Sequence, residues 1–182
     1  FLELNINSLQ HNISYFKKKL LPETKLLAVV KAFAYGHDAI VLSKILEKNK
    51  IDYLAVAYTE EGVILRENGI KTPILVLHAQ AQNYNLLISH NLEPNIYSHA
   101  NLEEFKRILL KKNLKSYPIH LKFNTGLNRL GFSIGECDSI IEALQKNNTI
   151  KIQSVFSHLA ASEDLEEIAF TKDQIRKFEL VR

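Results

Sequence analysis

Short apolar runs rich in β-branched residues alternate along this chain with stretches of helical apolar spacing, and that alternation restricts the fold more than any other feature. The runs cover residues 26–30, 53–56, 74–77, a weaker 95–97, 119–123 and 150–156. Between them, apolar residues fall three and four positions apart, as in Leu102, Phe105, Ile108 and Leu109, or Cys137, Ile140, Ile141 and Leu144. Each such stripe is built to face a sheet. Strands that alternate strictly with helices pair in parallel, because a parallel neighbour requires a crossover, nearly always right-handed.

The class is therefore α/β, and the choice lies between a doubly wound sheet and a TIM-type (β/α)8 barrel. The six glycines form neither G-x-G-x-x-G nor a Walker A loop, which removes the main signature of the doubly wound nucleotide binders. We therefore expect a barrel, with its chemistry just after the carboxyl end of each strand. Six strand candidates account for six of eight βα units, and 182 residues fall short of the roughly 250 that a complete barrel takes. The expectation is an incomplete barrel spanning 1–182 as one packed domain, its last two units lying beyond Arg182. An opened barrel exposes strand edges and apolar lining. Pro22, Pro73, Pro94 and Pro118 each stand just before a run, where they end a helix without disturbing a ladder. Ser133-x-x-Glu136 and Thr171-x-x-Gln174 read as capping boxes at helix starts.

Composition narrows the partners. A net charge of +3, spread along the chain, is too weak a footprint for nucleic acid or an anionic membrane, and no apolar run is long enough to span a bilayer. The single cysteine, Cys137, falls on a helical apolar stripe and reads as a buried free thiol in a reducing, cytoplasmic setting. His78, His90, His99 and His120 lack metal-site spacing, so no metal is expected. The chain contains no methionine, even at position 1, so it reads as starting inside a longer protein.

Lys31 closes the apolar first run. At the mouth of a barrel it would be poorly hydrated, a setting that suits an amine for Schiff-base chemistry, although a snorkelling lysine is the plainer reading of position alone. The segment Val29-Val30-Lys31-Ala32-Phe33-Ala34-Tyr35-Gly36-His37 resembles the pyridoxal-phosphate attachment segment V-K-A-N-A-Y-G-H-G of alanine racemases. Residues 53–62 also resemble that family's second strand and turn. Phe33 and Asp38 replace the usual asparagine and glycine, and the phenylalanine is similar to the racemase half of proteins with a muramyl-peptide ligase fused ahead. Such a fusion would account for the missing methionine. The resemblance implies that Lys31 carries pyridoxal 5'-phosphate and moves the substrate α-proton on one face, and that Tyr35 hydrogen-bonds the cofactor phosphate. His37 reads as a capping or packing residue.

A second block, Lys122-Phe123-Asn124-Thr125-Gly126-Leu127-Asn128-Arg129-Leu130-Gly131-Phe132, follows the fifth run. A glycine-bearing loop with an arginine suits the clamping of a carboxylate or phenolate. The block resembles the family's K-x-D-T-G-M-x-R-x-G-F pattern, which implies that Arg129 contacts cofactor and substrate carboxylate and that Lys122 is a candidate for carbamylation. Asn124 stands in place of the family's aspartate. Ser157-His158-Leu159-Ala160 is similar to the family's S/T-H-x-A pattern, placing His158 near the cofactor ring.

The resemblance thus implies a bacterial, cytoplasmic isomerase that interconverts L- and D-alanine for peptidoglycan, a homodimer in full length. It further implies that a C-terminal β domain, absent here, supplies the base for the opposite face, so that 1–182 alone would be inactive. The alternatives are a fold-related racemase or decarboxylase of another amino acid, or a non-catalytic cofactor-binding barrel.

Overall fold

A computed structural model of the chain describes residues 3–145 and 148–181. Six strands alternate with helices in the order β1 (Leu27–Val29), β2 (Tyr53–Val56), β3 (Ile74–Val76), β4 (Glu93–Ile96), β5 (Tyr117–Lys122) and β6 (Ile150–Phe156). The helices are α1 (Ile6–Lys19), α2 (Lys31–Gly36), α3 (Ala39–Lys48), α4 (Thr59–Glu67), α5 (Tyr84–Ser89), α6 (His99–Lys111), α7 (Cys137–Gln145) and α8 (Ile168–Glu179). Every strand expected from an apolar run is present, including the weak fourth. The single domain expected from length is subdivided into two compact units, Phe1–Glu93 and Pro94–Arg182.

In the first unit β1 pairs β2 in parallel, Leu27 opposite Tyr53, and β2 pairs β3, Leu54 opposite Ile74. Leu54, Ala55, Val56, Ile74 and Val76 are fully buried, as expected of strands covered on both faces, whereas the edge strand β1 leaves Leu27 and Val29 exposed. Helix α4 lies close to the α5–β4 turn: a Cβ on Gly62 would fall 2.8 Å from a Leu92 methyl. Arg66 binds the unit's turns together by donating to the carbonyls of Ile70, Thr72, His90 and Asn91. Lys17 does the same for α1, donating to the carbonyls of Asn49 and Lys50 at 2.8 Å each.

In the second unit β4 pairs β5, Asn95 opposite His120, and β5 pairs β6 along its length with a shift between Ile119 and His120. The stripe Leu102, Phe105, Ile108 and Leu109 is buried as its spacing requires. Strand β6 is an edge, and Ile152 on it is exposed.

Three expectations change. Pro94 and Pro118 sit inside β4 and β5, at the second residue of each, not ahead of them. A strand's first residues are where a missing N–H is tolerated, and at β5 it is Tyr117 that donates, to the Thr149 carbonyl. Helix α8 begins at Ile168, so Thr171 lies inside it and Gln174 is no capping residue. The Ser133/Glu136 box does form, the Glu136 carboxylate accepting from the Ser133 N–H at 2.6 Å, but it opens a 3-10 turn that leads into α7. Cys137 is half-buried rather than buried; desolvation, with Asp138 alongside, raises its thiol pKa.

The half-buried Glu47 joins α3 to the strand ahead, accepting from the N–H groups of Lys71 (2.8 Å) and Thr72 (2.7 Å) and from the Thr72 hydroxyl (2.9 Å). Burial works to raise its pKa, but these hydrogen bonds and the Arg66 charge prevail and lower it from 4.5. A carboxylate with a depressed native pKa stabilises the fold above its unfolded pKa, and that contribution is lost as pH falls through the native value. We expect Glu47→Gln to lower the melting temperature at neutral pH and to flatten its fall between about pH 5 and pH 2. A parallel acid limb in calorimetric scans of both proteins would refute this.

Candidate functional site

Lys31, Tyr35, Lys122, Arg129 and His158 lie at or after the carboxyl end of a strand, where barrel-type folds place their chemistry. Lys31 is half-buried and opens α2 directly after β1 and the fully buried Val30. The backbone beyond Lys31 has an uncommon hand. Ala32, Phe33, Ala34 and Tyr35 have φ values of 52, 55, 52 and 55°, with ψ between 34 and 51°, so α2 is a turn of left-handed helix. Its internal bond runs from the Ala34 N–H to the Val30 carbonyl at 3.0 Å. None of these four residues is glycine, and for L-residues the reversed hand costs about 1–2 kcal/mol each, about 4–8 kcal/mol for the turn. Gly36 (φ 91°) and the cap at His37, whose N–H donates to the Ala34 carbonyl, end it. Tyr35 stands four positions from Lys31 on the same turn with its side chain exposed.

Two features hold the turn. The first is Asp38, also left-handed at φ 64°, whose carboxylate accepts from Ile40 (3.0 Å) and Val41 (3.1 Å) and so caps α3. Glycine, which the motif usually has here, would take this φ freely; aspartate takes it because it doubles as the cap. The second is Glu61. Its Oε1 accepts from the Ala32 N–H at 2.7 Å, and its Oε2 accepts from Ala57 at 2.6 Å and Tyr58 at 3.1 Å. One carboxylate therefore ties the left-handed turn to the end of β2 and the start of α4. Beside it the Tyr58 and His78 rings meet edge to face, 5.5 Å apart.

In the second unit Lys122 ends β5, is 6% exposed, and sets its Nζ 5.9 Å from the Phe156 ring. The loop after it is closed at its base: Asn124 donates to the Phe132 carbonyl at 2.8 Å and Phe132 to that of Lys122 at 2.9 Å. Gly131 (φ 131°) is obligatory there, since a Cβ would lie 2.7 Å from the Asn124 nitrogen. Asn124 organises the loop interior. Its Oδ1 accepts from Gly126 and Asn128, while its Nδ2 donates to Asn128 Oδ1 at 2.9 Å, a bond that aspartate could not make. Arg129 rides on this loop, exposed to solvent.

His158 follows β6 and is exposed, but its backbone is fixed. The fully buried Gln174 of α8 donates to the His158 carbonyl (3.1 Å) and to Thr125 Oγ1 (3.3 Å), and accepts from Ala160 N–H (2.9 Å). Thr125 Oγ1 and Ser157 Oγ are 2.7 Å apart, and Ser157 donates to the Phe123 carbonyl at 2.8 Å. The donors line up in one direction, Gln174 to Thr125 to Ser157 to Phe123, and link the loops of Arg129 and His158. Gly126 lets α8 approach, since a Cβ there would come within 3.1 Å of the Phe170 ring.

Two further histidines are engaged away from these residues: His120 contacts Ser154 Oγ at 2.7 Å, and the His99 ring meets that of Phe132 edge to face and lies 3.4 Å from Glu136. Sequence reasoning missed Glu61, Asn128, Ser157 and Gln174. Glu61 could have been found as an acidic residue at the third position of a helix that follows a strand. The other three lie within sequence patterns, but nothing local in those patterns points to the contacts that they make.

The sequence profile described as "Alanine racemase, N-terminal domain" matches residues 4–182. An alanine racemase of Thermodesulfovibrio yellowstonii is 37% identical over 99% of this chain and 48% of the relative. An amino-acid racemase of Enterococcus faecalis is also 37% identical, over 98% of this chain but 25% of the relative. Among solved structures, an alanine racemase of Clostridium difficile 630 in complex with cycloserine superimposes with a TM-score of 0.91 at 32% identity, covering 98% of this chain and 49% of that one. That likeness gives the chain the fold of the α/β-barrel part of those enzymes. The chain spans about half the length of most of these relatives.

Replacing Gln174 by leucine would leave the Ala160 N–H and the Thr125 and His158 oxygens without their partner. We expect a loss of about 2–4 kcal/mol. At position 38, Asp38→Gly exchanges a cap for a relaxed backbone and should cost only a few tenths of a kcal/mol, whereas Asp38→Ala loses both and costs about 1–3 kcal/mol. Urea unfolding of the three variants measures these values, and equal effects of Asp38→Gly and Asp38→Ala would contradict the assignment at Asp38.

Proposed function

We propose, from the premise that this chain belongs to the alanine racemase family, whose N-terminal domain it matches over residues 4–182, that the whole protein is a pyridoxal 5'-phosphate-dependent isomerase interconverting L- and D-alanine. The observation that carries the reading is Lys31, an amine at the end of β1 held on a backbone turn that costs energy to form, with Tyr35 on the same turn. Strain of this kind persists where the surrounding structure enforces it, most often at working sites. The donor set fits the cofactor: a primary amine for its aldehyde, a phenol for its phosphate, and a guanidinium for a carboxylate or phenolate.

When bound, pyridoxal 5'-phosphate supplies an electron sink that makes the substrate's α-proton labile. Lys31 would hold the cofactor and, once the substrate amine has displaced its Nζ, take or return that proton on one face. Tyr35 would donate a hydrogen bond from its hydroxyl to the phosphate. Arg129 pairs with the substrate carboxylate from a loop whose shape Asn124 and Gly131 fix. His158, its carbonyl held by Gln174, would be the residue near the cofactor ring. The base for the opposite face comes from outside residues 1–182, and the working form is a homodimer in the cytoplasm. D-alanine for peptidoglycan is the proposed use, with a fused or adjacent muramyl-peptide ligase as partner. The buried Lys122 is proposed to take up carbon dioxide as the amine, releasing a proton and gaining a negative charge near the Arg129 loop.

A broader amino-acid racemase is the second reading, favoured by the E. faecalis relative of that name. Solvent deuterium entering Cα of alanine faster than that of serine supports alanine as substrate; the reverse order favours the second reading.

Two outcomes are expected. Borohydride reduction of the full-length protein with cofactor should fix a covalent label on the tryptic peptide containing Lys31, and Lys31→Ala should abolish both label and deuterium exchange. A label elsewhere, or none, would overturn the assignment. Native mass spectrometry should show a carbamate-sized increment on Lys122 that disappears on acidification, and an unmodified Lys122 at neutral pH would remove that part of the proposal.

A further inference from the structure

We propose that Glu61 is a positioning residue for Lys31: its carboxylate enforces the left-handed turn on which Lys31 presents its amine. The inference rests on reading Lys31 as the cofactor-bearing amine, and extends it to a residue outside the motif. The plainer alternative is that Glu61 only caps α4, since its Oε2 accepts from Ala57 and Tyr58. That accounts for one oxygen. The other, Oε1, reaches away from α4 to the N–H of Ala32, the first left-handed residue, at 2.7 Å. The bond to an ionised acceptor is charge-assisted, and so among the stronger hydrogen bonds a backbone N–H makes.

The need for such an anchor lies in residues 32–35. Alanine, phenylalanine and tyrosine all resist positive φ, and the position where asparagine is usual, the non-glycine residue that tolerates this backbone best, is Phe33 at φ 55°. The ring of Phe33 is exposed, so packing does not fix it there. Released from Glu61, the turn would relax toward ordinary right-handed or extended backbone. The direction of the chain after Val30 would change, and with it the placement of Lys31 and Tyr35. Glu61 itself acts through the backbone and touches neither cofactor nor substrate.

Glu61→Gln separates the two roles. The amide has one acceptor oxygen, which the paired donors Ala57 and Tyr58 claim, leaving the amide N–H₂ facing the Ala32 N–H. In the full-length protein with cofactor we expect Glu61→Gln to keep its far-ultraviolet circular dichroism but to bind pyridoxal 5'-phosphate roughly tenfold more weakly. The fraction of Lys31 trapped by borohydride at limiting cofactor should fall in step. Adding Phe33→Gly, which removes the largest penalty for positive φ, should recover most of the affinity without restoring the hydrogen bond. Glu47→Gln, which removes a carboxylate that likewise accepts backbone N–H groups away from this turn, should leave cofactor affinity unchanged. Wild-type affinity in Glu61→Gln, or a folded double variant that recovers nothing, would overturn the inference. An equal loss of affinity in Glu47→Gln would also overturn it, since general destabilisation would then suffice. Should Glu61→Gln not fold, hydrogen exchange on the wild-type protein decides: a slowly exchanging Ala32 amide supports the anchor, and exchange at the rate of an open loop refutes it. Absence of a borohydride label on wild-type Lys31 would instead strike the underlying reading of function.

Discussion

A carboxylate with three backbone N–H groups around it decides how the first half of this chain presents its chemistry. Glu61 receives Ala57 and Tyr58 from the end of β2 and Ala32 from the segment after β1, and these two strands are already paired through Val30 and Ala55. The sheet sets where the strands end, and the carboxylate sets what the chain does next. Without such a tie, a stretch reading Ala-Phe-Ala-Tyr would take ordinary right-handed or extended backbone, and the lysine ahead of it would be one more lysine at a strand end.

The second unit solves a similar problem with neutral groups. Gln174 is buried and uses both its donor and acceptor ends, so α8 holds two loops at once. The hydroxyls of Thr125 and Ser157 pass the donation on to a strand carbonyl. Polar groups in a buried place are costly unless satisfied, and here each supports a segment carrying a residue of interest. Asn124 illustrates compensation at close range. Where the family has aspartate, asparagine trades a charge for a donor, and Asn128, itself at φ 56°, receives it.

The strands and their order were legible because β-branched runs and helical stripes are local and their periods distinct, and even the weak run at 95–97 became β4. That Lys31, Arg129 and His158 each follow the carboxyl end of a strand was legible, because each stands just after an apolar run. The handedness of α2 was not, because no residue between Lys31 and Gly36 advertises positive φ, and the carboxylate that accepts from Ala32 stands 29 positions away. Gln174 was misread for a related reason. Thr-x-x-Gln looks like the start of a helix, but α8 starts at Ile168 without a side-chain cap, and what Gln174 binds lies 14 to 49 positions away in sequence. Long-range polar contacts of this kind leave no period to detect.

A left-handed turn built from L-residues is also a place where the mirror-image building block would be the conforming one. Ala32 is exposed, with φ 52° and ψ 51°, so inverting its α-carbon would move only a methyl group in solvent. A chain assembled by chemical ligation with D-alanine at this one position would gain there what D-residues lose nearly everywhere else in a protein.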